Sequence, residues 1–508
     1  MTASRPLFKH IRNHTALFNE LSQYRNAAVD TLGFTGYEFH KTPKFVTEDG
    51  SRLTIEPERS IVLPKVHALS GLKNKLTQAI PTLHMVEHSE IGYRYPTAAL
   101  AGLDAPFIKR MRSEYFHKVD DHYSHLTVHY IDKFKEAYDI QFKPILVGEE
   151  NPAALHEPTL YTDYCLEDVK RIASYYDVDF PGKSYPEKKL VDKANSILTA
   201  VNPDEFGSVA KTVSHALWSG DLAKLEELEV SYKSSEQEVI ETLKKGNEIR
   251  NGCDYYFGSA FYYEKELYWG VDRLNHLEDR LTELGANKSS DNEPVCLLQT
   301  KAPNNLTAEK SVNLTYYPSL NSPYTFVSAK RVKEFREEYP INLITKPVLP
   351  MLMRMMVIPT FKGKYIISDA AREGRKYGYE MKEVFSPIGK PARKAYSLFP
   401  LIDSLGKGFE YIDELLKASF QEGINIGDND YLKNTVTELG LDWDSVKRDL
   451  NTSKWKKVLN DNVNDMYQGN CWGVPSFKIT DADGSNPYYV WGQDRMWLLK
   501  EEINRRLT

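Results

Sequence analysis

The alternation of apolar and polar positions repeats along the chain. It predicts a strand at 115–119, an amphipathic helix at 123–137 and a strand at 140–147, the opening of a βαβ unit. The same order returns as a strand at 312–317, a helix at 324–338 and a strand at 341–349. The offset is 201 residues, from Tyr123 to Tyr324 and from Tyr138 to Tyr339. Helix-rich stretches follow at 161–247 and 365–464, so the pattern predicts two related α/β units.

A glycine-containing motif closes each predicted unit. The second unit has WGVPSF at 472–477 and YVWGQDR at 489–495, and the first has FGSAF at 257–261 and YWGVDR at 268–273. Only the second carries a proline, in the step Val474-Pro475, which aligns with Ser259-Ala260. A proline between two apolar strand segments marks an edge strand or a cis-proline turn. The asymmetry indicates one functional and one degenerate unit.

The remaining segments set the predicted boundaries. Residues 1–110 match nothing later and contain a helical pattern at Leu7, Ile11 and Leu17. The stretch 287–294 is polar and rich in turn-forming residues, as expected of a linker. The sequence thus predicts an N-terminal extension (1–110), a degenerate unit (111–286), a linker (287–294) and a second unit (295–508).

Composition removes several classes of function. A net charge of −6, a pI near 6.2 and no basic run interleaved with aromatics argue against nucleic acid as a partner. No apolar run is long enough for a membrane span, and the N-terminus lacks the apolar region of a signal peptide, which predicts a cytoplasmic protein. The four cysteines, none in a C-x-x-C pair, are expected to be buried thiols: Cys165, Cys253, Cys296 and Cys471.

Four segments of the second unit carry a family resemblance. They are NSPYTF at 321–326, KGKY and the following residues at 362–369, GVP at 473–475 and WGQDRM at 491–496. In this order and spacing they resemble the DsbA-like branch of the thioredoxin superfamily that contains kappa-class glutathione transferases and 2-hydroxychromene-2-carboxylate isomerases. The resemblance spans about 200 residues. It implies an α/β fold of two thioredoxin-like domains, each with a helical insertion, and glutathione as cofactor.

The residues of these segments suit a thiol cofactor. Ser322 is expected at a strand end, before a helix with Pro323 at its first position, where the hydroxyl and the helix N-terminus both favour a thiolate. If the bond to Pro475 is cis, the backbone of Val474 can pair with the cysteinyl unit of an extended peptide. The simpler alternative for Ser322 is a plain N-cap.

The resemblance implies further contacts with glutathione. It places the γ-glutamyl end at Gln493 and Asp494, and it adds Tyr324 and Lys362 to the cofactor-binding residues. Asp494 could equally be an acid that stabilises the first turn of its helix. The Gly-Asn step that kappa-class proteins place before the lysine has no counterpart in residues 351–357. The methionines of that stretch, Met353, Met355 and Met356, either line a substrate pocket or belong to the core.

The first unit lacks the residues of this site. Asp120, Asp121 and His122 stand where the second unit has Asn321-Ser322-Pro323. An ionised Asp121 accepts hydrogen bonds and repels a thiolate, so it cannot replace a serine hydroxyl. We therefore expect the first unit to pack against the second like the other subunit of a homodimer.

Histidines offer a different chemistry in the first unit. His117, His125 and His129 gather with Asp121 and His122 around one strand-helix junction, and imidazole with carboxylate could bind zinc or iron. Histidines that hydrogen-bond within a half-buried helix are the alternative. A second pattern, H-x-x-E-H at 84–88, resembles inverted zinc peptidases, but its flanking prolines leave little room for the long helix required.

These observations favour a glutathione-dependent transferase or cis-trans isomerase that acts on a small conjugated electrophile, with Ser322 stabilising the thiolate. A disulfide oxidoreductase is disfavoured because no cysteine stands at position 322. Two alternatives stay open: a non-catalytic binding or scaffold protein, and a metal-dependent enzyme that uses the histidines of the first unit. The expected assembly is a monomer with an internal pseudo-dimer, or a homodimer.

Overall fold

The computed structural model describes residues 112–289, 293–300 and 310–508, and the backbone of two short strands, β1 (Lys44–Val46) and β2 (Arg52–Leu53). Residues 112–289 are called the first half below, and residues 310–508 the second half. The predicted N-terminal helical pattern and the H-x-x-E-H stretch lie outside the described residues. No helix in the described part of the chain has the length and apolarity needed to cross a membrane.

A four-stranded sheet organises the first half. Its strands are β3 (Arg112–His117), β4 (Gln141–Leu146), β5 (Ala260–Tyr263) and β6 (Glu266–Trp269). The order across the sheet is β4-β3-β5-β6, with β3 and β4 parallel and the other pairs antiparallel. Parallel neighbours require a crossover, which the helices after β3 provide.

Helices surround this sheet. They are α1 (His122–Val128), α2 (Ile131–Ala137), α3 (Pro158–Ile172), α4 (Lys188–Ala200), α5 (Phe206–Ser219), α6 (Leu222–Glu229), α7 (Glu236–Gly252) and α8 (Leu274–Glu283). The predicted helix 123–137 is interrupted between α1 and α2. There the N–H groups of His129 and Tyr130 donate to carbonyls three residues back rather than four, which breaks the α-helical ladder.

The second half has a sheet with the same plan. Its strands are β7 (Val312–Tyr317), β8 (Ile341–Thr345), β10 (Ser476–Asp481) and β11 (Tyr488–Trp491), in the order β8-β7-β10-β11. Here too the first two strands are parallel and the others antiparallel. Strand β8 is shorter than the predicted 341–349, because Pro347 has no N–H for the ladder.

Between β8 and β10 the chain is mostly helical. The elements of this stretch are α10 (Thr360–Lys376), strand β9 (Glu383–Phe385), α11 (Lys390–Ser404), α12 (Gly408–Phe420), α13 (Asn429–Glu438), α14 (Trp443–Val446) and α15 (Lys454–Tyr467). Outside it, helix α9 (Pro323–Glu338) lies between β7 and β8, and α16 (Met496–Leu507) follows β11. Strand β9 pairs with β1, which in turn pairs with β2, in a small separate sheet. The helix-rich stretch thus stands as an insertion between parallel and antiparallel strands of one sheet.

Strand pairing corrects the predicted alignment of the closing motifs. Ala260 pairs with Phe116 and Trp269, and Ser476 pairs with Tyr317 and Trp491, which are the corresponding strand positions. The sequence alignment placed Ala260 opposite Pro475, one residue out of register. Ser259 is therefore the structural counterpart of Pro475, because inter-strand hydrogen bonds, rather than motif similarity, set the register.

Stacked aromatic pairs mark the same place in both sheets. The rings of Tyr115 and Phe261 stack with centroids 4.7 Å apart, and those of Tyr316 and Phe477 do so at 5.4 Å. The largest apolar core belongs to the first half but includes Tyr317, Cys471 and Trp472. The two halves therefore share buried apolar surface.

Candidate functional site

A cavity of ≈ 170 Å³ lies between the two halves. Its aromatic wall comes from both halves and consists of Tyr123, Tyr161, Tyr164, Tyr256, Phe257, Trp269, Tyr324, Tyr365, Trp472 and Trp491. Of the residues predicted from the sequence, it brings together Tyr324, Lys362, Val474, Pro475, Gln493 and Asp494. A concave wall of apolar and aromatic side chains with placed polar groups is typical of a small-molecule site.

Ser322 caps the helix next to this cavity. Its Oγ accepts from Thr325 N at 3.2 Å, and Pro323 occupies the first turn of α9. The same hydroxyl donates to the carbonyl of Val474 at 3.3 Å, and the Val474-Pro475 peptide bond is cis. Ser322 is 8% exposed, and neither it nor Pro323 is part of the cavity wall. Ser322 therefore contacts the proline turn from behind the wall, which Val474 and Pro475 help to form.

Close packing holds the proline turn against β11. A Cβ on Gly473 would overlap the indole of Trp491, so only glycine fits there. Ser476 Oγ donates to the Gly473 carbonyl at 2.7 Å, and Gly492 N donates to the Pro475 carbonyl at 3.0 Å. These bonds fix the Val474 backbone at the cavity edge.

Gln493 and Asp494 begin the short 3-10 turn before α16. The Gln493 amide is buried, donates to Glu373 at 2.7 Å and accepts from Arg331. Asp494 accepts from Arg273 Nη1 at 3.2 Å, and its side chain is 20% exposed. The amide of Gln493 is thus fully engaged within the protein, whereas the Asp494 carboxylate can accept from a ligand.

Arg273 of the first half holds the acidic residues of the second. Its Nε and Nη2 donate to the two carboxylate oxygens of Asp369 at 2.9 and 2.8 Å, a bidentate pair. Tyr324 OH donates to the same carboxylate at 2.8 Å. Burial alone would raise the pKa of Asp369, but Arg273 and Arg372 hold it below its ordinary value.

Arg495 of the second half makes the reciprocal set of bonds. Its Nε and Nη2 donate to Asp168 at 3.0 and 2.9 Å, and its Nη1 donates to Asp272 at 2.6 Å. Tyr123 OH donates to Asp168 at 2.7 Å. Each bond has its equivalent in the Arg273 set, so the halves meet as two subunits related by a two-fold axis would.

Lys362 is a buried cation in the cavity wall. Its Nζ donates to the Ala154 carbonyl at 2.6 Å, and the ammonium lies 5.7 Å from the ring centre of Tyr256 and 5.6 Å from that of Trp472. Among the described residues it has no carboxylate partner. Burial lowers its pKa to about 8, because a buried ammonium loses its hydration.

The first half has no equivalent of the serine site. Asp121 caps α1 by accepting from the N–H and hydroxyl of Ser124 at 2.8 and 2.7 Å, and burial raises the pKa of its carboxyl group. A Cβ on Gly258, the counterpart of Val474, would crowd Lys118 and Ser124. Ser259 has a positive φ and bonds to Thr127. With Asp121 and Ser259 in the places of Ser322 and Pro475, the polar groups of this junction bond to one another.

The histidines of the first half do not form a metal centre. His117 bonds to Tyr115, His129 bonds to the His125 carbonyl, and His125 uses both ring nitrogens on Ser214 Oγ and the Asp179 carbonyl. Within the described ranges, no three His, Cys, Asp or Glu side chains converge as metal ligands. The described geometry therefore gives no support to the metal-dependent alternative for this cluster, because His117, His125 and His129 use ring nitrogens in hydrogen bonds within the protein.

The remaining expectations concern methionines and cysteines. Met353 and Met356 are buried outside the cavity and Met355 is exposed, while Met351 lines the wall. Three cysteines are buried as expected, Cys165, Cys296 and Cys471, and Cys253 is partly exposed. Burial raises the pKa of each of these thiols. The thiols are therefore protonated and weakly nucleophilic.

The sequence did not predict the ion pairs across the cavity, which join Arg273 to Asp369 and Arg495 to Asp168. The signal was available as the D-R step shared by both closing motifs and an aspartate at the same place in α3 and α10. These positions lie about 100 to 330 residues apart. Their meeting depends on how the halves dock.

Comparison with known proteins identifies one part of the chain. Residues 313–504 match the family model of the DSBA-like thioredoxin domain. A 35% identity over 89 residues links the chain to YwbO, an uncharacterized protein of Bacillus subtilis, covering 17% of this chain and 44% of that relative. The match thus spans less than half of the relative's length. The second half contains a DSBA-like thioredoxin domain.

Three solved structures with different described activities are similar to part of the chain at lower sequence identity than YwbO. A 2-hydroxychromene-2-carboxylate isomerase is 19% identical, covering 38% of this chain and 95% of that one at a TM-score of 0.32. A probable DsbA oxidoreductase from Streptomyces coelicolor is 14% identical, covering 38% of this chain and 90% of that one at a TM-score of 0.31. The cytosolic disulfide reductase DsbM from Pseudomonas aeruginosa is 16% identical, covering 39% of this chain and 100% of that one at a TM-score of 0.29.

Proposed function

We propose that this protein is a glutathione-dependent transferase or cis-trans isomerase that acts on small conjugated electrophiles. The observation that carries the proposal is Ser322: its hydroxyl lies at the N-terminus of α9, 3.3 Å from the Val474 carbonyl, beside an aromatic cavity. A helix N-terminus with a hydroxyl donor favours a thiolate over a thiol. The DSBA-like domain of the second half is the setting in which such a site is expected.

The residues present fit glutathione in part. Ser322 and the Val474 backbone can take the cysteinyl unit, and the partly exposed Asp494 can accept from the γ-glutamyl ammonium. The side chain of Gln493 does not fit a direct contact, because Glu373 and Arg331 occupy its amide. Glutathione, when bound, supplies a thiol that adds to a conjugated double bond and leaves again in an isomerase, or stays attached in a transferase.

The protein's own residues have separate tasks in this scheme. In this scheme the Ser322 hydroxyl turns from the Val474 carbonyl, to which it donates in the structure, towards the sulfur and stabilises its ionised form. The Val474 backbone then orients the peptide. The aromatic wall holds a planar substrate and excludes water. Arg273 donates to the carboxylates of Asp369 and Asp494 and so fixes their positions. It helps to hold the pKa of Asp369 below its ordinary value, whereas burial raises the pKa of Asp494.

The first half is a second thioredoxin-like unit in this proposal. It shares the strand order of the second half and meets it through reciprocal Arg-Asp pairs, so it stands where a homodimer would place the other subunit. It supplies part of the cavity wall, and it has Asp121 at the position that Ser322 occupies in the second half. A monomeric assembly with one site per chain, located in the cytoplasm, belongs to the same proposal.

The engaged amide of Gln493 favours a second candidate, a non-catalytic binding protein. Titration calorimetry with glutathione separates the two. We expect Asp494→Asn to weaken glutathione binding about tenfold or more, from loss of a charge-assisted hydrogen bond. Ser322→Ala should raise the pKa of the bound thiol by about one unit, followed by thiolate absorbance.

Matched controls are Ser404→Ala and Asp444→Asn, which alter a surface serine and a surface aspartate away from the cavity. No measurable heat when glutathione is titrated into the unaltered protein would overturn the enzyme proposal. Binding that is equally tight in all four variants would show that glutathione binds elsewhere.

A further inference from the structure

One tyrosine in the cavity wall breaks the pseudo-two-fold relation between the halves. Tyr365 on α10 lines the cavity, and its counterpart 201 positions earlier, on α3, is Tyr164. The Tyr164 hydroxyl accepts from Trp491 N at 2.7 Å and donates to the Trp491 carbonyl at 3.2 Å. The Tyr365 hydroxyl is buried and has no hydrogen-bond partner among the described residues. Of the two hydroxyls, that of Tyr365 is therefore left for a ligand.

A second uncharged donor lies in the same wall. The indole N–H of Trp472 is buried and unpaired in the described part of the chain. Ring contacts connect the two donors: the ring centres of Tyr365 and Tyr256 lie 6.4 Å apart, and Lys362 Nζ lies 5.7 Å from that of Tyr256 and 5.6 Å from that of Trp472. Buried donors without acceptors are rare in native proteins, so a ligand that brings acceptors fits this patch.

The described wall carries no net charge, because it has as many carboxylates as cations. The carboxylates are Asp168, Asp272 and Asp494, and the cations are Arg273, Lys362 and Arg495. Burial raises the pKa of Tyr365, so its hydroxyl stays protonated and can donate. A carbonyl oxygen, which accepts hydrogen bonds and has no charge, matches this wall.

The aromatic part of the wall suits a flat ring. Ten aromatic side chains line the cavity, and Phe257 is the one among them that is neither tyrosine nor tryptophan. The faces of such rings are electron-rich and attract an electron-poor ring. The cavity measures ≈ 170 Å³, and a cavity of about 150 Å³ can hold a benzene molecule. There is therefore room for one ring with small substituents.

We infer that this cavity binds a quinone, with the Tyr365 hydroxyl and the Trp472 N–H donating to its carbonyl oxygens. The inference rests on the cavity of the proposed function and names its electrophile. A quinone is flat, uncharged and electron-poor, and it carries two carbonyl acceptors. Lys362 is not required for this contact and stays among the residues expected to bind the cofactor.

Addition of glutathione to a quinone needs no further reagent. The sulfur forms a bond to a carbon of the ring C=C bond, and the electron pair of that bond moves to the oxygen of the conjugated carbonyl, to which Tyr365 donates. That oxygen takes up a proton, and the proton on the substituted carbon moves to the second oxygen, which leaves a hydroquinone thioether. The ring has no double bond that can rotate, so the inference selects the transferase over the isomerase.

Binding of tetramethyl-1,4-benzoquinone (duroquinone) and 1,2,4,5-tetramethylbenzene (durene), without glutathione, tests the inference. Both are flat tetramethyl rings, and they differ in the two carbonyl oxygens. Quenching of tryptophan fluorescence measures duroquinone, because Trp472 and Trp491 line the cavity, and competition with duroquinone measures durene. We expect duroquinone to bind the unaltered protein at least about tenfold more tightly than durene.

Two variants each remove one donor and keep an aromatic ring. We expect Tyr365→Phe and Trp472→Phe to reduce the preference for duroquinone about threefold or more. In Trp472→Phe the fluorescence of Trp491 still reports occupancy. The control is Tyr175→Phe, at a partly exposed tyrosine that is not part of the described wall, and it should keep the preference.

Equal affinities for duroquinone and durene would overturn the inference, as would a preference that Tyr365→Phe leaves unchanged. Titration calorimetry with glutathione separates this result from the proposed function. If duroquinone is preferred and glutathione fails to bind, the quinone site stands and the proposed transferase falls. If glutathione binds and duroquinone is not preferred, the proposed function stands and the quinone inference is wrong.

Discussion

The guanidinium of Arg495 and the carboxylate of Asp168 form a buried bidentate ion pair across the two halves of the chain. Nε and Nη2 lie 3.0 and 2.9 Å from the Asp168 oxygens, and both side chains are at most 4% exposed. The pair repeats the Arg273-Asp369 bond on the opposite side of the cavity. The Arg495-Asp168 and Arg273-Asp369 ion pairs thus join the two halves at the cavity.

The two arginines should contribute unequally to stability. Arg495→Met leaves Asp168, 2% exposed, without a cation. Arg273→Met leaves Asp369 with Arg372, 2.7 Å away, and removes the partner only of Asp494, whose side chain is 20% exposed. An uncompensated buried charge costs about 3–5 kcal/mol. We expect Arg495→Met to lower the free energy of unfolding by that amount and Arg273→Met by less, measured by urea denaturation. The reverse order would show that the Arg273 set dominates the interface.

The tyrosine pair in the wall offers a matched test of hydrogen bonding. Tyr164→Phe removes the hydroxyl that bonds both backbone groups of Trp491, which leaves the Trp491 N–H partly buried and without this partner. We expect a loss of about 1–3 kcal/mol in the free energy of unfolding. Tyr365→Phe removes a hydroxyl that has no described partner and should cost nothing measurable. Equal losses in the two variants would contradict the structure.

The lysine in the wall should make stability depend on pH. Its pKa is about 8 in the folded protein against an ordinary 10.5, so the unfolded chain binds one more proton between these values. Stability therefore rises with pH through this window, by about 3 kcal/mol in total. We expect the free energy of unfolding of the unaltered protein, minus that of Lys362→Met, to increase by this amount from pH 8 to 10.5. His156, the titratable neighbour, has a pKa lowered to about 4 by burial and stays neutral there.

The proline turn should tolerate no side chain at Gly473. Gly473→Ala places a Cβ against the Trp491 indole, and overpacking of this kind costs about 1–3 kcal/mol. The control is Gly252→Ala at the end of α7, where a Cβ meets nothing within 4 Å. We expect thermal denaturation to show a lower midpoint for the first and an unchanged or higher one for the second.

Local features of the second half were predictable from the sequence. Strand β7 begins and ends where the apolar pattern placed it, and Ser322 caps α9 with Pro323 in its first turn. Such features depend on neighbouring residues, whose propensities the sequence displays directly. The register of β5 was wrong by one residue because an inter-strand ladder, which is not local, sets it.

The sequence by itself determined the recurring α/β pattern, the serine at a helix N-terminus and the different residues that stand at the serine and proline positions in the first half. Only the tertiary structure decided that these halves enclose one cavity, that Gln493 is engaged by Glu373, and that Lys362 and Tyr365 keep donors without partners. The reason is physical. Helices, caps and turns follow from residues close together in the chain, whereas a buried ion pair or an unpaired donor is defined by what packs against it from far away in the sequence.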